Sequence, residues 1–164
     1  MSWRCGVKWK GPAALFSAWL LHDVEEGLAF PATCERLAAQ TGIQQLRMTP
    51  RQSWIAVGLM GLLAAAACAR GVAESGDSRF YRAVAAGLEA HVGTHLLASI
   101  LQRGYTAGVV SAVLVMLPGT VIARRELARC DLDISVRDTA AGIAVLVPAA
   151  AACHVLARFA DSRK

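Results

Sequence analysis

The sequence lacks a CxxC pair or any regular cysteine spacing, because its five cysteines are scattered along the chain (Cys5, Cys34, Cys68, Cys130 and Cys153). This scatter argues against a disulfide framework and against a cysteine-ligated zinc site. The chain also lacks a stripe of basic side chains interleaved with aromatics, although its formal net charge is +5. A nucleic-acid-binding surface is therefore not expected.

Uncharged apolar residues are abundant instead. Of the 164 residues, 55% are hydrophobic and 18% are charged, and much of the hydrophobic content is Ala, Val, Leu and Gly in long blocks without charge. Such blocks indicate membrane helices rather than the core of a water-soluble domain. The length suits one domain. We therefore expect a single membrane domain, residues 1–164, surrounded by membrane lipid.

The apolar segments predict an all-α fold, a polytopic bundle of about five transmembrane helices. The run Ser135 to Asp138 is typical of a helix start, and Pro118-Gly119 predicts a kink in the fourth helix. Residues 34–40 suit either a short interfacial helix or a solvated loop. The five helices are predicted at residues 12–30, 52–69, 80–102, 105–123 and 139–157.

Basic residues lie mostly between the apolar segments, as the topology determinants of membrane proteins do. With five spans, the N-terminus and the link between the fourth and fifth helices lie on the same side of the membrane. Both are rich in basic residues, so the bias favours a cytoplasmic N-terminus in a cell-membrane protein. These residues are Arg4, Lys8 and Lys10 at the N-terminus and Arg124, Arg125, Arg129 and Arg137 in the link.

Two of the predicted helices carry polar side chains in the middle of apolar sequence. In the first, His22, Glu25 and Glu26 have the spacing i, i+3 and i+4, which places them on one helix face. In the third, His91 and His95 are separated by four residues. An ionisable group in the middle of a membrane helix costs about 2.5–3.5 kcal/mol on insertion scales. Packing the two polar faces together around a cation compensates that cost.

The residue types predict a divalent metal as the cation. We expect His22, Glu26, His91 and His95 to be metal ligands, with Glu25 as a further ligand or as a catalytic general base. Mixed imidazole and carboxylate sets suit zinc, iron or manganese, and zinc or iron is the leading choice. The number of ligands leaves open whether one metal or two are bound. Polar contact between helices, without any metal, is the alternative interpretation.

Three further ionisable side chains are expected to lie outside this site. Asp23 is a quarter-turn from His22, so it is predicted to be solvated or to support a ligand from behind. Glu89 is predicted to pair with a nearby arginine, Arg82 or Arg103. His154 is expected to have a structural, hydrogen-bonded role.

The run His22-Asp23-Val24-Glu25-Glu26 in a first apolar helix resembles the defining motif of the HXXEE-domain family, which consists of small multi-pass membrane proteins. The run from Arg103 to Gly108, followed by Leu117-Pro118, is similar to the later half of that family, although Ala107 stands where a proline is expected. The resemblance covers roughly residues 12–125. It implies a membrane bundle with a His/Glu site, and it implies no reaction.

The leading functional hypothesis is an integral membrane metalloprotein that acts as an enzyme on a lipid or another apolar small molecule. Zinc would favour hydrolysis, whereas iron would favour hydroxylation or desaturation. A serine hydrolase is not expected, because no Ser/His/Asp set is present in a credible arrangement. Two alternatives remain: a non-enzymatic membrane protein, such as a small transporter or accessory subunit, and a soluble helical protein with long buried helices.

Overall fold

The computed structural model describes residues 9–161, and within them the fold is all-helical. Arg4, Cys5, Lys8, Arg163 and Lys164 lie outside these residues. The helices are α1 (Lys10–Thr41), α2 (Pro50–Ala73), α3 (Arg79–Leu101), α4 and α5 (Val136–Asp161). α4 has three consecutive segments, namely Val109–Ser111, a π-helical turn at Ala112–Met116, and Leu117–Ala128. The predicted helical bundle is therefore confirmed.

Local sequence signals account for three of the helix ends. Thr49 and Gln52 form a reciprocal capping box before α2, with Pro50 at the first helical position. Ser135 and Asp138 hydrogen-bond each other at the start of α5, as the sequence predicts. Gly42 ends α1 in the left-handed conformation, with φ of 75°.

α1 is longer than predicted, because it continues through Pro31 instead of ending at Phe30. Residues 34–40 are therefore neither a separate helix nor a loop. Beyond the proline, the Thr33 hydroxyl accepts a hydrogen bond from the Ala107 N–H, and Arg36 donates one to the Tyr105 carbonyl. These tertiary contacts hold the last turns of α1 in place and offset the backbone hydrogen bond that proline removes.

The prediction of five membrane spans is not supported. Three helices, α2, α3 and α5, are long and apolar enough to cross a membrane. α1 falls short because three acidic residues, Asp23, Glu25 and Glu26, lie close together in its apolar stretch. α4 falls short because the π-helical turn divides it, just upstream of Pro118, where the sequence predicts a kink.

The helices pack so that α1 lies against α2 and α4, while α3 and α2 both lie against α5. The buried core contains large side chains from four of the helices, including Leu15, Tyr81, Val84, Met116 and Leu146. The outer side of α5 is apolar and largely exposed, as at Val147, Val155 and Leu156. An apolar exposed face of this kind is consistent with a membrane protein.

Several charged pairs connect the helices, and one of them differs from the prediction. Glu89 pairs with Arg124 on α4, through Nε at 2.9 Å and Nη2 at 2.5 Å, and not with Arg82 or Arg103. Arg82 instead contacts Asp77, at 3.2 Å, and Asp138. The prediction considered only arginines close to Glu89 in the sequence, and it failed because α4 brings Arg124 beside α3.

The cysteines differ in bonding state. Cys34, Cys68 and Cys153 are free, whereas Cys130 is disulfide-bonded, which the cysteine spacing did not predict.

The contact between α3 and α5 depends on two glycines. A Cβ atom on Gly142 would collide with the Ala83 carbonyl oxygen and would lie 2.7 Å from the Gly87 nitrogen. Both obstacles are backbone atoms, so relief requires the helices to separate.

We expect Gly142→Ala to lower the free energy of unfolding by about 1–3 kcal/mol, the usual cost of overpacking. Denaturation of the detergent-purified protein measures this. Gly93→Ala is the matched control on α3, because a Cβ atom there meets nothing within 4 Å. Equal stability of the two variants would contradict the close-contact explanation.

Candidate metal centre

The fold brings together the four residues predicted as metal ligands. His22 and Glu26 of α1 face His91 and His95 of α3, and one potential ligand atom from each lies within 4.8 Å of the others. The ring centroids of His22 and His95 are 4.8 Å apart, and those of His91 and His95 are 4.3 Å apart. His22 and His95 are buried. Helical spacing places each pair on one face, and the packing of α1 near α3 joins the two faces.

Hydrogen bonds of the Nδ1 atoms, on the side of each ring that faces away from the cluster, fix the orientation of both α3 histidines. His95 Nδ1 lies 3.0 Å from the Ala107 carbonyl oxygen, so Nδ1 donates. The Thr94 hydroxyl donates to the His91 carbonyl, and its oxygen lies 3.0 Å from His91 Nδ1, so that nitrogen also donates. In a neutral imidazole with a protonated Nδ1, Nε2 carries a lone pair. Both Nε2 atoms are therefore available as ligands.

The two Nε2 atoms of His91 and His95 face each other at 2.9 Å. Two neutral nitrogen lone pairs repel at that distance, so a proton or a cation between them is required. Nitrogen ligands of one metal ion lie roughly 3–4 Å apart, because each metal–nitrogen bond is about 2.0–2.1 Å. The observed spacing lies just below this range, so it suits a shared proton and requires only a small separation of the rings to admit a shared metal ion.

His22 completes the imidazole set from α1. Its Nδ1 lies 3.0 Å from the Ser111 hydroxyl, whereas its Nε2 is buried without a hydrogen-bond partner. A buried polar atom without a partner normally costs about 1–3 kcal/mol. A metal ion bound by the imidazole set would remove that cost, so the residues present fit a cation.

Glu26 supplies the carboxylate of the group. Its Oε1 lies 3.6 Å from His95 Nε2, and its side chain is one-fifth exposed. Three imidazoles with one carboxylate form a borderline donor set that suits zinc or iron and contains no thiolate.

Glu25 lies outside this group of four, and both of its carboxylate oxygens accept hydrogen bonds. Oε1 accepts from the Tyr105 hydroxyl at 2.7 Å, and Oε2 accepts from the Ser111 N–H at 2.7 Å. Partial burial and this hydrogen bond raise the pKa of Tyr105 to about 12, so the phenol remains a donor at neutral pH. Glu25 thereby ties the loop and first turn at residues 105–111 to α1.

The loop that contains Gly108 covers one side of the candidate metal centre. Gly108 has φ of 82°, and a Cβ atom on it would lie 2.7 Å from His95 Cε1, 2.8 Å from His22 Cε1 and 3.0 Å from Glu26 Cγ. A glycine is therefore needed here for its conformation and for its lack of a side chain. The backbone of the loop therefore packs directly against the cluster of His22, Glu26 and His95.

Sequence reasoning missed the residues that orient the three imidazoles. Thr94, Ala107 and Ser111 each hold one imidazole from behind. Ala107 fell within the run that resembles the HXXEE family, which was the available signal for the loop. Ser111 lies 89 residues from His22 and has no sequence signal of its own.

A cavity of about 410 Å³ adjoins the cluster, and Glu26 and His91 line both. Asp23 also lines it and is 6% exposed, so the prediction that it is solvated is wrong. His154 lies on the cavity wall, where its ring stacks on Phe30 with centroids 5.2 Å apart. The rest of the wall is mostly apolar, with Trp19, Met60, Leu88, Ile143, Leu146 and Val147.

These features define a helical bundle with three candidate membrane helices and a buried His/Glu cluster that could bind a metal. The chain belongs to the family described as "Protein of unknown function with HXXEE motif", whose model matches residues 13–123. The matched region contains His22, Glu26, His91 and His95, and the suspected family is confirmed. No curated protein and no solved structure matches the chain.

Proposed function

We propose that this chain is an integral membrane metalloprotein in which His22, Glu26, His91 and His95 hold a divalent metal ion. One observation carries the proposal. The nitrogens His91 Nε2 and His95 Nε2 face each other at 2.9 Å, while the Nδ1 atom of each ring lies 3.0 Å from an oxygen, which favours an outward N–H. The unpartnered His22 Nε2 supports the same conclusion. A cation is the partner that all three rings can share.

The proposed metal is zinc or iron, because three imidazoles and one carboxylate suit both. When bound, zinc would supply a Lewis acid for hydrolysis, and iron would supply redox chemistry for hydroxylation or desaturation. Glu25 was predicted as a general base or further ligand, and that role stays a prediction. Its two hydrogen bonds, to Tyr105 and Ser111, favour a positioning role, in which it holds the loop over the ligands.

The proposed substrate class is a lipid or another apolar small molecule. The cavity beside Glu26 and His91 supports this, because its volume of about 410 Å³ falls within the usual range of small-molecule sites. Its wall is mostly apolar and adjoins helices that are able to cross a membrane. Placement in the cell membrane with a cytoplasmic N-terminus is proposed from the distribution of basic residues between helices.

Elemental analysis of the full-length protein, purified in detergent, tests the proposal. We expect about one equivalent of zinc or iron in the wild-type protein, and none in His95→Ala, because the loss of one imidazole breaks the set. His154→Ala is the matched control, since that imidazole lies outside the group of four, and it should keep its metal. Carbonate washing of membranes should leave the chain in the membrane fraction.

The metalloprotein proposal is contradicted if the wild-type protein folds normally but contains no metal, and if His95→Ala is as stable as the wild-type protein. This result would favour the alternative, a non-enzymatic membrane protein such as a small transporter or accessory subunit, in which His91 and His95, both on α3, share a proton. Release by carbonate would contradict the membrane proposal and favour a soluble helical protein.

A further inference from the structure

The cavity beside the candidate metal centre is lined by polar side chains that the metal site does not use, namely Asp23, Ser53 and His154, and Asp23 is the one next to a proposed ligand in sequence. The Asp23 side chain is 94% buried, since its exposed fraction is 6%, and it lies on the cavity wall. No hydrogen bond or ion pair joins its carboxyl group to another side chain in residues 9–161. A buried carboxyl group costs free energy unless it is hydrogen-bonded. A hydrogen-bond donor in the cavity would remove that cost.

The position of Asp23 relates it to the metal ligands. It follows His22 directly, and Glu26, three residues later, lies on the same cavity wall. A polar group that reaches Asp23 is therefore close to the candidate metal centre. The lining from α2 and α5 is mostly apolar, with side chains such as Met60 and Leu146, although Ser53 and His154 also belong to it. The cavity thus has a polar end and an apolar body.

The cavity also reaches the surface that faces a membrane. Ile143 and Val147 line it, yet they are 46% and 63% exposed on the outer side of α5. α5 is one of the helices able to cross a membrane. An apolar molecule could therefore enter sideways from the hydrocarbon region without passing through water.

We propose that the cavity binds a single hydrocarbon chain that ends in a hydrogen-bond-donating head group, an alcohol or an amine, with the head group on Asp23 beside the metal centre. The inference rests on the proposed function, because it identifies the substrate class of that site. The hydrocarbon chain occupies the apolar body between α2, α3 and α5. Asp23 determines which head group is accepted, because a head group without a donor leaves the carboxyl group unpaired.

Three probes of equal chain length test the inference: decanol, decylamine and decyl methyl ether, which lacks a donor. Each is titrated calorimetrically into the full-length protein in nanodiscs, with empty nanodiscs as the blank. We expect wild-type protein to bind the alcohol or the amine at least about tenfold more tightly than the ether, the difference expected when a buried polar group is left without its partner. Asp23→Leu should remove this preference.

Two variants serve as controls. Asp77→Leu makes the same change at an exposed position outside the cavity, and it should keep the preference. Asp23→Asn keeps the shape of the side chain without its charge, which allows a test should Asp23→Leu fail to fold. It should weaken binding of decylamine, whose ammonium loses its carboxylate partner, more than binding of decanol, whose hydroxyl can still donate to the amide oxygen.

The inference is overturned if wild-type protein binds the ether as tightly as the other probes, or if it binds none of them. It is also overturned if the preference survives in both Asp23 variants or disappears in Asp77→Leu. The metal content of the same samples separates the two proposals. Full metal content without head-group preference overturns the inference about the ligand alone. Wild-type protein without metal overturns the proposed function.

Discussion

Gly108→Ala is expected to lower the affinity for zinc or iron about 100-fold. The added Cβ atom would meet three ligand side chains at once, at 2.7 Å from His95 Cε1, 2.8 Å from His22 Cε1 and 3.0 Å from Glu26 Cγ. Contacts this short force either the ligands or the loop to move, and the loop carries the Ala107 carbonyl that orients His95. Loss of a single outer partner of a metal ligand typically costs 10–100-fold in affinity, and this change disturbs several, hence the upper end of about 100-fold.

Gly42→Ala is a closely matched control for this variant. Gly42 also has a left-handed backbone, with φ of 75°, but a Cβ atom there meets nothing within 4 Å. Both variants should lose about 1–2 kcal/mol of stability from the strained backbone conformation. Only Gly108→Ala should lose metal affinity, as measured by chelator competition on the purified protein. Equal metal affinities in the two variants would mean that the loop does not cover a metal site.

The sequence predicted the spatial grouping of four polar side chains more accurately than it predicted the membrane topology. His22 and Glu26, like His91 and His95, lie four residues apart, and helical periodicity alone puts each pair on one face. The cost of isolated polar groups within apolar segments then favoured packing of the two faces together. Neither step requires knowledge of loops. The proposed site therefore followed from local geometry and one energetic argument.

The parts that could not be predicted depend on tertiary contacts. α1 continues past Pro31 because Thr33 and Arg36 bind a loop about 70 residues further along the chain. Glu89 pairs with Arg124, on a helix whose position beside α3 no local pattern reveals. The burial of Asp23 likewise results from how α1 packs on its neighbours. The number of candidate spans was overestimated because α1 and α4 are apolar in part, although three acidic residues interrupt α1 and a π-helical turn divides α4.

Glu26→Gln is expected to lower metal affinity by about 100- to 1,000-fold, far more than Glu25→Gln. Structural metal sites bind with about 10–16 kcal/mol in total, so one of four ligands contributes about 3–4 kcal/mol. Glu26 lies within the ligand group, 3.6 Å from His95 Nε2. Glutamine has nearly the same shape but lacks the negative charge that a divalent cation requires from this position.

Glu25→Gln is the matched comparison, because it makes the same change one residue earlier in α1. Glu25 accepts from Tyr105 and Ser111, and glutamine can accept only one of these two hydrogen bonds. The loop should loosen, and metal affinity should fall about 10–100-fold, as for other residues that orient ligands. Chelator competition measures both variants under identical conditions. An equal or larger loss in Glu25→Gln would make Glu25 a ligand, and it would exchange the roles assigned to the two neighbouring carboxylates.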